Sequence, residues 1–126
     1  MRFASKYQHQ KIKDDMIILG RVQSREVSIN GLVLDPEDSL KLFNHSPDGF
    51  AWGYAGSGPS QLALALLLAV GVRPKLAVQL HQRFKMDVLT KIPMEDDFRM
   101  PVKSVRNWCN AYEKQLKKMG EMLKNE

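Results

Sequence analysis

Hydrophobic and polar positions repeat with two different periods along this chain, and the change falls near its middle. Met16-Ile-Ile-Leu19 is a short apolar run, and Glu26-Val-Ser-Ile29 alternates at the two-residue period of a half-buried strand. Asn30-Gly31 stands between that run and Leu32-Val-Leu34. This pair predicts a hairpin, because both central positions of a type I′ turn need positive φ. Asp35-Pro36 closes the strand. Leu40 and Leu42, with Phe43, then flank Lys41 and predict another short strand. After the turn formers Asn44 to Gly49, Phe50-Ala-Trp-Gly-Tyr54 predicts a further strand with Phe50, Trp52 and Tyr54 on one face. Residues 16–54 are thus expected to form a small antiparallel sheet.

From there the period becomes helical. Pro59 suits a first helical position, with Ser57 or Gly58 as cap, and Gln61 to Val70 is apolar on every side. A helix of that kind must be covered all round. Pro74 opens a second helix whose stripe is Leu76, Ala77, Leu80, Phe84, Val88 and Leu89, and Ile92-Pro93 stops it before the acidic link Met94 to Asp97. Pro101 opens the last helix, expected near 101–124. In it Val102, Val105, Cys109, Tyr112, Leu116, Met119 and Leu123 recur at spacings of 3, 4, 3, 4, 3 and 4. That is a heptad seam. Lys103, Arg106, Lys114, Lys117, Lys118 and Lys124 gather on the opposite face. The expected fold class is α+β: a small antiparallel sheet with a β-hairpin, covered by two helices near 59–70 and 74–91, plus a long C-terminal amphipathic helix. One domain spans 1–126, with a basic N-terminal segment at 1–15, sheet and two helices at 16–93, and the amphipathic helix at 99–126.

Composition narrows the function classes. With 44% hydrophobic and 26% charged residues the chain reads as globular rather than disordered. The net charge of +5 is uneven: residues 1–13 and 99–126 each carry +4, and the stretch between them −3. Basic ends on an acidic body can steer toward a polyanion, and they equally serve as solvated surface. The single Cys109 excludes an internal disulfide and a multi-cysteine zinc site. The N-terminus has no apolar core of the secretory type, and the apolar run Leu62 to Val72 is shorter than a bilayer span. A cytoplasmic protein with no membrane contact is expected.

Candidate chemistry concentrates in Asn44 to Gln61. Gly53, Gly56 and Gly58 lead into a helix N-terminus, whose unpaired N–H groups favour an anion. Gly56, Ser57, Gly58, Ser60 and His45 are therefore the candidate anion or ligand site, and a tight structural turn is the simpler reading of the same glycines. The stretch is neither a Walker loop nor a dinucleotide fingerprint. His45, Asp48 and Ser57 hold the residue types of a triad without a nucleophile elbow, so no catalytic residue is assigned and no enzyme is expected. His9, His45 and His81 fall on separate elements with no paired spacing, so no metal ligand and no cofactor is assigned either.

Asn30, Gly31, Leu34, Asp35 and Pro36, then Asn44 to Phe50, Trp52 to Tyr54 and Gly56 to Leu66, resemble the signature of a family of small uncharacterised bacterial, plasmid and phage proteins. Ala51 and Ala55 depart from it, standing where many relatives carry Glu and Gly. The resemblance implies kinship, with the last helix and the N-terminal stretch outside it, and it implies no activity. Three functions are expected in order. The first is a non-enzymatic accessory protein of a phage or mobile element that binds a host or phage macromolecule, with an anti-defence or regulatory purpose. A protein partner or a second copy would use Val105, Cys109, Tyr112, Leu116, Met119 and Leu123, unless this seam docks on its own domain. The second is nucleic-acid binding through Lys103, Arg106, Lys114, Lys117, Lys118 and Lys124. The third is binding of a phosphorylated small molecule at the glycine turn.

Overall fold

The computed structural model describes residues 11–124, with side chains as far as Gly120. Strands β1 (Ile17–Gly20), β2 (Val27–Ile29), β3 (Leu32–Val33) and β4 (Phe98–Pro101) form one antiparallel sheet in the order β3-β2-β1-β4. Helices α1 (Glu37–Leu42), α2 (Ser57–Ala69), α3 (Pro74–Asp87) and α4 (Val102–Lys124) accompany it, with a 3-10 turn at Leu89–Lys91. The class is α+β, as the two periods predict.

The Asn-Gly hairpin forms as expected, with φ of 47° at Asn30 and 85° at Gly31. Asn30 contributes more than its backbone: its Oδ1 accepts the Ile17 N–H at 2.8 Å and so ties the turn to β1. Ile18 lies opposite Ile29 on one side and Met100 on the other, which places β1 at the centre of the pairing.

Three expectations about the sheet need correction. Residues 40–43 are not a strand. Glu37–Leu42 is a helix, begun by Pro36 with the Glu37 N–H held by Asp35 Oδ1 at 2.9 Å. Glu37 and Asp38 in its first turn suit the positive end of the helix. This start signal outweighs a two-residue alternation carried by only two leucines. Phe50 to Tyr54 is not a strand either, because no neighbour offers it a ladder. It runs as an irregular segment beneath the 3-10 turn, where the Gly53 N–H donates to Leu89 O at 2.9 Å. Its aromatics part company: Phe50 and Trp52 are buried, whereas Tyr54 is 44% exposed. The fourth strand is instead β4, in a stretch that reads as the tail of an acidic link. Phe98 faces inward across from Gly20, and a Cβ at Gly20 would stand 2.0 Å from its ring. Phe98 also meets Trp52 edge-on at 4.8 Å, and Trp52 Nε1–H donates to Asp96 O at 3.0 Å.

α2 is the core. Every residue from Gly58 to Ala69 is buried, as an all-apolar helix requires. α3 covers it with Ala77, Leu80, His81 and Phe84.

Candidate functional site

Two regions concentrate polar or unpartnered side chains: the loop between α1 and α2 with the facing surface of α3, and the length of α4.

The loop is fastened from inside. Gln61 is fully buried on α2, and its Oε1 accepts the N–H groups of His45 (2.7 Å) and Ser46 (3.1 Å). Its Nε2 donates to Ser39 Oγ (2.8 Å) and Phe43 O (3.0 Å). One amide thus satisfies four groups across residues 39–46, which is how a polar side chain is tolerated in an otherwise apolar helix.

With the loop held there, His45 reaches α3. Its Nε2 lies 2.9 Å from Nε2 of His81, which is buried on the core-facing stripe of α3. The other nitrogen of His81 lies 2.6 Å from Val78 O. A carbonyl only accepts, so His81 carries its proton on Nδ1 and turns an Nε2 lone pair toward His45. Phe43 stacks on the His45 ring at 4.2 Å and fixes its plane. Burial lowers the pKa of His45 below 6.5, helped by His81 and Lys85. Burial also lowers that of His81, with Lys85 adding to it against the backbone carbonyls that raise it. The pair is held neutral at neutral pH.

Of the candidate anion site, the structure brings His45 and Ser60 to either side of Gln82. Gln82 Nε2 stands 3.5 Å from His45 Nε2, and Ser60 Oγ lies 3.2 Å from Gln82 Oε1 and 3.1 Å from Gly56 O. The glycines answer to the chain itself. A Cβ on Gly56 would meet the Tyr54 ring at 2.3 Å, and one on Gly58 would meet the Ala51 Cβ at 2.7 Å. Ser57 is exposed at the start of α2. His81 and Gln82 escape sequence reasoning because two histidines 36 residues apart carry no spacing signal. A histidine on the apolar stripe of α3 is the clue that was available. His9 lies outside the described residues.

α4 is packed against the body as far as Leu116, and its seam reaches solvent at Met119. Its opening N–H groups, Val102 and Lys103, donate to Met16 O (2.9 Å) and Asp14 O (3.0 Å). Val102, Val105 and Cys109 are buried, Tyr112 and Leu116 are half-buried against the core, and Met119 is 55% exposed. Trp108 anchors the docked half to α3. Its Nε1–H donates to Asp87 Oδ2 at 2.9 Å, and its ring meets Phe84 edge-on at 5.1 Å. The Leu123 and Lys124 side chains lie outside the described residues. Burial, with Glu113 nearby, pushes the Cys109 thiol up to about 11, so it is a packing group and no nucleophile.

The basic face loses one expected member. Arg106 is an internal clamp: it donates to Ile12 O (2.6 Å) and Val70 O (3.0 Å) and pairs with Asp14 at 2.7 Å. Val70 follows the last turn of α2, so the guanidinium caps the negative end of the core helix. Lys103, Lys114, Lys117 and Lys118 are exposed. Among the described residues no helix is long and apolar enough to cross a membrane.

A family profile matches residues 20–111, from the end of β1 to the docked half of α4. The chain belongs to DUF6166, a family of unknown function. No curated protein and no solved structure matches it. The DUF6166 match reaches well beyond the stretch that carries the sequence resemblance and takes in half of the last helix. It stops at Ala111, one residue before Tyr112.

Proposed function

We propose that this DUF6166 chain is a non-enzymatic accessory protein that binds a partner protein through the exposed end of α4. The observation that carries this reading is the change along one seam. Val102, Val105 and Cys109 are buried at home, and the same seam continues to Met119 with more than half its surface in water. A soluble chain gains nothing from extending an apolar stripe past its own core unless something covers it. Lys114, Lys117 and Lys118, all exposed on the opposite face of the same stretch, would steer an acidic partner toward it. The resemblance to small plasmid and phage proteins supports an accessory factor of a mobile element, acting on a host or phage macromolecule in the cytoplasm. Nucleic-acid binding is less well supported, since Arg106 is spent on internal bonds.

The test uses the variant Met119→Asp, at the exposed end of the seam, beside the full wild-type chain. The expected result is a partner protein retained by the wild type at moderate salt and lost by the variant, with an unchanged melting temperature. Equal retention by both refutes the reading. So does wild-type self-association through α4, or tight binding of labelled DNA or RNA with a steep salt slope.

A further inference from the structure

We propose that Arg25 is the carboxylate-binding residue of a small-molecule site whose ligand is a free α-amino acid with an apolar side chain. The inference is independent of the partner-binding reading and begins from a cation that the fold leaves without a counterpart. Arg25 stands in the turn between β1 and β2 and is half-buried. Its Nη1 is closed off from solvent and has no hydrogen-bond partner, the one such side-chain atom among the described residues. The guanidinium carbon lies 4.9 Å from the centre of the Trp52 ring. That ring is fully buried and held by Asp96 O, so it is a fixed platform that orients the cation but supplies no acceptor. A buried charged donor without an acceptor is costly, and native chains keep few of them. The backbone adds to the cost. Arg25 has a φ of 61°, a left-handed position that Asn or Gly occupies more readily, and its N–H is fixed on Arg21 O at 2.8 Å. The turn does not call for an arginine, and the protein offers its Nη1 nothing to bind.

Arg25 also lines a cavity of about 310 Å³. That is near the lower end of ligand sites, roughly 300 Å³, and suits one molecule of amino-acid size. Its apolar lining is Leu34 and Phe50 from the core, with Pro36 and Pro47. Its other charges are Glu26 and Asp48, both exposed and neither in an ion pair among the described residues. One guanidinium and two carboxylates around an apolar floor disfavour a phosphate or any other polyanion and match a zwitterion. The planar fork of Arg25 takes the ligand's carboxylate in a bidentate pair. Glu26 and Asp48 take the ammonium, and Phe50 and the prolines cover the side chain. Because Nη1 is closed off, the long Arg25 side chain must slide across the indole to reach the ligand, so binding here is felt at Trp52.

The experiment titrates the full chain with L-leucine and with L-phenylalanine, followed by the ¹H–¹⁵N resonances of the Arg25 Nε–H and the Trp52 indole. Saturable, concerted shifts of both are expected. Arg25→Asn should weaken binding at least tenfold and leave the melting temperature level or higher, because Asn accepts the turn and the unpaired charge is gone. Asp48→Asn should weaken it several-fold; if Arg25→Asn unfolds the chain, this exposed position decides alone. Isocaproate, which lacks the ammonium, and isoamylamine, which lacks the carboxylate, should each bind at least tenfold more weakly than L-leucine. No saturable shift with either amino acid at tens of millimolar overturns the proposal, as does wild-type affinity in Arg25→Asn or in Asp48→Asn. Isocaproate or inorganic phosphate binding as tightly as L-leucine also overturns it, because the acidic rim would then play no part.

Discussion

Replacing Gln61 by Leu tests the staple that brings His45 to α3. The new side chain fits the buried space approximately and adds apolar surface, so the packing change is small. It removes four hydrogen bonds: two received from the His45 and Ser46 N–H groups, and two given to Ser39 and Phe43. Ser39 is fully buried, but its hydroxyl keeps its bond to Pro36 O at 2.7 Å. The Phe43 carbonyl and the two amides belong to a loop that can lift toward water. Four bonds at about 1 kcal/mol each set a ceiling near 4 kcal/mol, and relaxation of the loop brings the expected loss to about 2–3 kcal/mol. Urea unfolding should show a lower midpoint with an unchanged slope. Hydrogen exchange should speed up at the His45 and Ser46 amides while the centre of α2 stays protected. A loss below about 0.5 kcal/mol with both amides still protected would refute the argument, because buried groups deprived of partners cannot be that cheap.

The histidine pair makes stability depend on pH. Both folded pKa values lie below the unfolded 6.5, so the unfolded chain takes up protons first as pH falls. The contribution is complete above about 6.5 and is lost as pH drops from there through the folded values. Denaturant midpoints between pH 7.5 and 5 should fall, and His45→Gln should flatten the fall; a wild-type midpoint that stays level contradicts this. Arg106→Met should cost about 1.5–3 kcal/mol, since it frees the Val70 and Ile12 carbonyls together, and a loss confined to the exposed ion pair would leave the midpoint almost unmoved. Cys109, with its thiol near 11, should react with a disulfide reagent at neutral pH far more slowly in the native protein than in urea. Gly20→Ala should destabilise by about 1–3 kcal/mol through the Phe98 ring, read as a drop in melting temperature.

What was legible in the sequence depended on how many positions repeated a signal. Asn30-Gly31 and the all-apolar Leu62 to Ala69 stated their structure locally, and the seam of α4 did so over six intervals. The strand at Phe98–Pro101 has only Phe98 and Met100 to mark it, and its pairing with β1 is fixed by residues some eighty positions away. Phe50 to Tyr54 alternates like a strand, yet Trp52 is placed by the Asp96 carbonyl and the Phe98 ring rather than by a ladder. The polar cluster was invisible for the same reason. Gln61 reads as a flank of an apolar helix and His81 as an irregularity in a stripe, until the loop they hold is folded over them. The change in fate along α4 also lies outside any periodic pattern, because the seam is uniform and only the body beneath it ends.

The position of β1 between β2 and β4 has a consequence during synthesis. Its partner on one side follows within about a dozen residues, whereas Ile17 must wait for Pro101 on the other. At about 5–20 residues per second, that interval lasts roughly 4–17 s, plus the time for the later segment to clear the ribosome. Throughout it the hairpin has one unfilled edge and α2 lacks its full cover. The nascent chain therefore presents a strand-pairing surface that the finished protein does not, and slowing translation between Gly31 and Phe98 should lower the yield of soluble product without altering its stability once made.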